Sequence, residues 1–158
     1  MKKVKNFTVI SIICCLFYCN NCSLFPGAKV YPIWVYNKSD HYIDILLSHG
    51  YPIFPDTLLP DRFYDRPGSV KPGAGKQYPN GQKPKEFIQS YGSDTIIVFI
   101  FHTDTLEKYP WNEVRTGYKI LKRYDVSWQE MERLEGRLYY PPTEAMKDMK
   151  MYPPYGSE

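Results

Sequence analysis

Thr95-Ile96-Ile97-Val98-Phe99-Ile100-Phe101-His102 is the stretch that decides the fold of this chain. Its six consecutive large residues, Ile96 to Phe101, are all β-branched or aromatic and leave no polar face for water. Such a run predicts a strand covered on both sides. Immediately after it, Thr103-Asp104-Thr105 reads as the cap of a short helix from about Leu106 to Val114, kinked or split at Pro110.

Further along, Tyr118 to Tyr124 predicts another strand. Ser127 with Glu130 forms a capping box that opens a helix, and Gly136 closes it. Arg137 to Tyr140 predicts a last strand, stopped by Pro141-Pro142. Residues 143–158, with Pro153-Pro154, read as a loosely ordered C-terminal tail.

Working back from the central run, Val30 to Tyr36 predicts a first strand, with Trp34 as a packed mid-strand residue. Asn37-Lys38-Ser39-Asp40 predicts a turn and Tyr42 to Ser48 a second strand, so the two are expected to pair as a hairpin. In the second strand Ile43, Ile45 and Leu47 alternate with Tyr42, Asp44 and Leu46, which places the isoleucines and Leu47 inward. The stretch from His49 to Gln82 is rich in proline and glycine, a composition that excludes a central strand. Within it, Lys71-Pro72-Gly73-Ala74-Gly75 reads as an exposed loop. Glu86 to Tyr91 fits either a strand or a helical turn.

Six or seven short strands with two short helical insertions predict a mainly β domain. The expected architecture is an antiparallel β-sandwich, Ig-like or similar, over residues 30–142, with an α+β arrangement as the alternative.

The first residues give an address. Lys2, Lys3 and Lys5 precede an uncharged run from Phe7 to Tyr18, which is 12 residues long. As a helix it would reach about 18 Å, short of the roughly 20 residues a permanent span needs. A basic start followed by a short apolar core reads as a secretory signal over residues 1–18. All four cysteines, Cys14, Cys15, Cys19 and Cys22, lie in or just after it. The remainder therefore has no thiolate metal site and no cysteine nucleophile, and it must fold by packing rather than by disulfides.

Leu16-Phe17-Tyr18-Cys19 resembles a bacterial lipobox, although a tyrosine stands where a small residue usually precedes the cysteine. Cys19 is thus the expected lipidation site, with Cys22 as the alternative, and residues 19–29 would form a tether. The expected location is the cell envelope, anchored by lipid to a membrane, with a secreted or periplasmic soluble form as the alternative.

Charge excludes one partner class. Of the 20 basic residues, the three signal lysines are the whole excess, because the other 17 match 17 acidic residues. A neutral domain makes no general electrostatic case for nucleic acid.

Motifs for chemistry are sparse. There is no Gly-x-Ser-x-Gly elbow, no His-Glu-x-x-His, no phosphate loop and no EF-hand loop. No cofactor and no metal site are expected. The one acid–base candidate is His102 with Asp104, flanking the end of the central strand, which would support a periplasmic hydrolase or metal-dependent enzyme. Against it, Asp104 at a helix start is where a carboxylate belongs on dipole grounds alone. His41 reads as a solvated turn residue. The carboxylate pairs Asp61 with Asp65, and Asp104 with Glu107, have nothing in the sequence to fix their geometry. Trp111 and Trp128 at helix starts are candidates for a glycan- or peptide-binding face, since aromatic rings combine large contact area with a polar edge.

Asp104-Thr105-Leu106-Glu107-Lys108-Tyr109 through Trp111, Val114-Arg115 and the run Tyr118-Lys119-Ile120-Leu121-Lys122-Arg123-Tyr124-Asp125 together carry a resemblance, supported by Asn37-x-Ser39, Pro55-Asp56-Thr57 and Tyr140-Pro141-Pro142. They resemble a family of small uncharacterised lipoproteins of Bacteroides and related Bacteroidota. The resemblance implies a lipid-anchored envelope protein and carries over no catalytic residue. In that group acidic residues after the lipidated cysteine go with surface display. Asn20, Asn21 and Ser23 are uncharged, which points to the periplasmic side of the outer membrane. The functional expectation is a binding or structural module of the envelope and not an enzyme.

Overall fold

A computed structural model describes residues 30–48, 59–63 and 68–157. The chain runs β1 (Ile33–Asn37), β2 (Ile43–Ser48), β3 (Gly75–Tyr78), α1 (Pro84–Gln89), β4 (Thr95–His102), α2 (Thr103–Lys108), α3 (Trp111–Thr116), β5 (Lys122–Ser127), α4 (Trp128–Arg133), β6 (Arg137–Tyr140), a 3-10 turn (Glu144–Met146) and β7 (Lys150–Tyr152). The strands form a three-stranded sheet, β3-β1-β6, and a four-stranded sheet, β2-β4-β5-β7. All pairings are antiparallel except β1 with β6, which run parallel. The described fold is therefore mainly β, with four short helices rather than the two expected insertions. The expected signal, tether, Cys19, Cys22, Asp65 and Pro55-Asp56-Thr57 lie outside the described residues.

β4 sits inside the larger sheet with both faces buried, as its unbroken apolar run requires. Ile96, Val98 and Ile100 join a cluster that also draws Ile33 and Val35 from β1, Ile43 and Ile45 from β2, and Leu138 from β6, so both sheets contribute to it. Ile97, Phe99 and Phe101 face the other way and meet Leu46, Leu59 and Val114. That second face is closed by Leu106 of α2, Trp111 and Val114 of α3, and Phe63. Pro110 splits the helical stretch into α2 and α3, because proline lacks the amide that a continuous helix needs.

β1 and β2 do not form the expected hairpin. They belong to different sheets, and their inward residues share one cluster. The buried amide of Asn37 explains the crossover. Its Nδ2 donates to the carbonyls of His41 (2.7 Å) and Val70 (2.8 Å), and its Oδ1 accepts from the amide and hydroxyl of Ser39. The segment between the strands is thereby held to Val70 instead of turning back along β1. β3 is a second departure: an edge strand starts at Gly75, inside the stretch read as an exposed loop.

The tail is also a correction. Met146 and Met149 are buried in the core, and β7 pairs antiparallel with β5. The distinctive Lys122-Arg123-Tyr124-Asp125 run holds it in place. Lys122 Nζ donates to the Pro153 carbonyl (3.1 Å), and Lys150 Nζ lies 3.0 Å from Asp125 Oδ2. Arg123 Nε donates to Asp125 Oδ1 at 2.6 Å with both side chains buried. Burial lowers the Arg123 pKa, but its bonds to Asp125 and Tyr118 together outweigh that and hold it above the ordinary value. A strand of three residues among prolines is too short to show a period, so the sequence gives no sign of it.

Candidate functional site: the outward aromatic row

Alternation along β1 turns Ile33 and Val35 into the core and leaves Trp34 and Tyr36 half-buried on the opposite face. β6 repeats the pattern, with Leu138 and Tyr140 inward and Arg137 and Tyr139 outward. On that outward face the register sets Trp34 between Gln77 and Arg137, and Tyr36 between Gly75 and Tyr139.

Three rings consequently line up. Trp34 and Tyr36 have centroids 5.7 Å apart with planes 13° from parallel, and Tyr36 and Tyr139 are 5.2 Å apart at 20°. Near-parallel rings at that separation are slipped and not fully overlapped, so each leaves part of its face open. Gly75 makes the room. A Cβ there would stand 2.7 Å from both Cδ1 and Cε1 of Tyr36, closer than real contacts allow. The ends of the row carry planar polar groups, the Gln77 amide and the Arg137 guanidinium, the latter 3.2 Å from Glu135. The face therefore offers apolar ring surface, hydroxyl edges and in-plane donors and acceptors without net charge.

The tryptophans singled out in the sequence sit elsewhere. Trp111 stands edge-on to Phe63 (5.0 Å) and Phe101 (5.8 Å), and its indole nitrogen donates to the carbonyls of Pro60 and Asp61, both at 3.1 Å. Arg115 completes that clasp with its Nε on the Leu59 carbonyl (3.0 Å) and an ion pair to Asp61 (2.7 Å). Trp111 thus fixes residues 59–63 over β4. Trp128 packs partly against the shared cluster, with Lys85 Nζ 5.1 Å from its ring centroid. Neither shares a face with the aromatic row. Trp34, read as a core residue, faces outward from its sheet and is partly exposed, as Trp111 and Trp128 also are. The signal was present: it alternates with Ile33 and Val35, two residues with a stronger claim on the core.

His102 and Asp104 do meet, but as a helix cap. His102 Nδ1 accepts from the Asp104 amide (3.2 Å), while the Asp104 carboxylate lies 3.8 Å away and its side chain is 81% exposed. His41, expected to be solvated, lies on His102 instead, with ring centroids 4.5 Å apart and planes 14° from parallel. Its Nδ1 is 3.0 Å from Asp40 Oδ1, and its Nε2 is buried with no partner. The bond from His41, with its partial charge, holds the Asp40 carboxyl below its ordinary value. Thr103, next along, donates from its hydroxyl to the buried Asp44 at 2.8 Å. No group of three metal-ligating side chains exists among the described residues.

Two hollows accompany these features. An open groove of about 560 Å³ runs between Val30, Ile33, Phe87 of α1 and Met131 of α4, and a smaller one of about 240 Å³ lies beside Asp44, Thr103 and Glu107. The groove is mostly apolar, whereas the row combines apolar faces with flanking polar groups.

No protein-family model matches the chain, and no curated protein or solved structure is similar to it. Among the described residues, no helix is long and apolar enough to cross a membrane.

Proposed function

We propose that this chain is a binding module of a bacterial envelope, exported and lipid-anchored at Cys19 or, failing that, Cys22, and that it contacts a neutral glycan through the row Trp34-Tyr36-Tyr139. The two sheets would stack as a β-sandwich, a reading supported by the core cluster to which both contribute. The observation that carries the function is the row itself: three aligned, partly exposed rings on a face whose ionic groups, Arg137 and Glu135, pair with each other. Pyranose rings present flat C–H faces and equatorial hydroxyls, which suit aromatic faces flanked by an amide and a guanidinium. The absence of excess charge favours an uncharged polysaccharide over nucleic acid. The basic, apolar, cysteine-bearing start and the resemblance to Bacteroidota lipoproteins support the address, with the periplasmic side of the outer membrane as the expected leaflet.

Co-sedimentation of the full detergent-solubilised chain with insoluble neutral polysaccharides tests the contact. Binding that is lost in the Trp34→Ala, Tyr139→Ala double variant is expected. Failure to sediment with any neutral polysaccharide, or unchanged sedimentation of the variant, would overturn the reading. Labelling with a palmitate analogue tests the anchor separately: wild type should label, and a Cys19→Ala, Cys22→Ala variant should not.

A further inference from the structure

The histidine stack lies where three parts of the fold meet. His41 belongs to the crossover between β1 and β2, and His102 ends β4 and caps α2. Tyr140 of β6 stands edge-on to His41 at 6.0 Å. Hydrogen bonding fixes the protonation each ring needs. His102 Nδ1 accepts the Asp104 amide, so that nitrogen carries no proton. His41 Nδ1 faces the Asp40 carboxylate and carries one, while its buried Nε2 has no partner for another. Both rings are therefore neutral in this arrangement.

Each ring also has an exposed carboxylate beside it. A proton arriving on His102 Nδ1 abolishes the bond from the Asp104 amide and turns that nitrogen into a donor. The Asp104 carboxylate, 3.8 Å away, is placed to accept it. The charged groups facing the pair are Asp40 from the crossover and Asp104 from α2. Tyr140 contributes a phenol from β6, and Asp44 of β2 is engaged by Thr103. Asp40 and Asp104 are 99% and 81% exposed, so water screens their pull on the rings. The two rings instead face each other at 4.5 Å with little water between them, where repulsion of like charges is screened least.

We propose that the His41–His102 stack is a proton-operated latch. Neutral, it fastens the crossover to the end of β4 and caps α2; doubly charged, it parts and releases the Asp104 amide. The device joins the strand that carries Trp34 and Tyr36 to the larger sheet, so its opening loosens the end of β1 next to the aromatic row. It does not depend on what that row binds.

Nuclear magnetic resonance of the full chain in detergent, followed from about pH 8 to about pH 5, is the test. At the upper end His102 is expected as the tautomer protonated at Nε2, with cross-peaks between the two rings. On acidification the ring cross-peaks should vanish and the Asp104 amide should lose its hydrogen-bonded shift. In His102→Asn, whose side chain caps a helix without titrating, that amide should keep its shift throughout. Ring cross-peaks that persist to pH 5 in the wild type overturn the latch, and they decide the matter even if the variant fails to fold. An Asp104 amide that moves equally in wild type and His102→Asn overturns it as well.

Discussion

The outer faces of the two sheets use the same residue types in opposite ways. On the four-stranded sheet, Phe99 and Phe101 are roofed by Trp111, Phe63, Leu106 and Val114, and the indole nitrogen of Trp111 is satisfied by backbone carbonyls. On the three-stranded sheet, Trp34, Tyr36 and Tyr139 stack on one another and remain partly exposed. The difference lies in what the following chain does. After β4, two short helices return across the sheet, whereas β3 and β6 place Gly75, Gln77 and Arg137 around the rings without covering them. Among the described residues, aromatic content therefore does not separate a roofed face from an open one; the presence of a covering layer does.

Truncation should divide the two faces sharply. Phe99→Ala, which empties a fully buried site, is expected to cost about 3–5 kcal/mol in urea denaturation. A loss as small as that of an exposed ring would break the comparison. Next in size, Asp125→Ala removes the carboxylate that pairs with the buried Arg123 guanidinium and with Lys150 of β7, for a loss of about 3 kcal/mol. The same denaturation experiment should show it, together with early proteolysis of the released C-terminal segment.

Smaller effects belong to the open face. Gly75→Ala drives a methyl group into Tyr36, and a loss of about 1 kcal/mol is expected because the ring can swing toward solvent. Displacement of the row should appear as altered Trp34 fluorescence, best read in a background where Trp111 and Trp128 are replaced by phenylalanine. Trp34→Ala should cost about 0.5–1 kcal/mol of stability while weakening polysaccharide binding about tenfold. A stability loss near that of Phe99→Ala would mean the row is core after all.

Smallest is Asp40→Asn. The Asp40 carboxyl is held below its ordinary value by His41, so the folded state gains from the ionised form above that value and loses the gain as pH falls through it. The variant should be slightly less stable than wild type at about pH 7, and denaturation over an acid series should show the difference shrinking as the pH falls through the ordinary carboxylate range and below it.

Much of this was legible along the chain. The apolar run of β4, the capping box at Ser127, the split at Pro110 and the strand at Arg137 all appear where their residues indicate. Each is a local matter, settled within a few residues by period, cap or missing amide. The candidate site was half legible. The sequence points to aromatics as a contact surface through Trp111 and Trp128, but a helix start does not reveal that Trp111 has carbonyls some 50 residues away for its indole nitrogen.

By itself, the sequence determined that a strand at Ile96–Phe101 would be buried on both sides and that the chain past its cysteine-bearing start would carry no net charge. It also determined that this part would fold without thiol chemistry. Only the tertiary structure decided that β1 and β2 lie in different sheets, that Trp34 faces out, that His41 rests on His102 and that residues near 150 close the larger sheet. The reason is range. Periodicity and capping are set by neighbours along the chain, whereas sheet partner, exposed face and side-chain company depend on segments brought together by the collapse of the whole core.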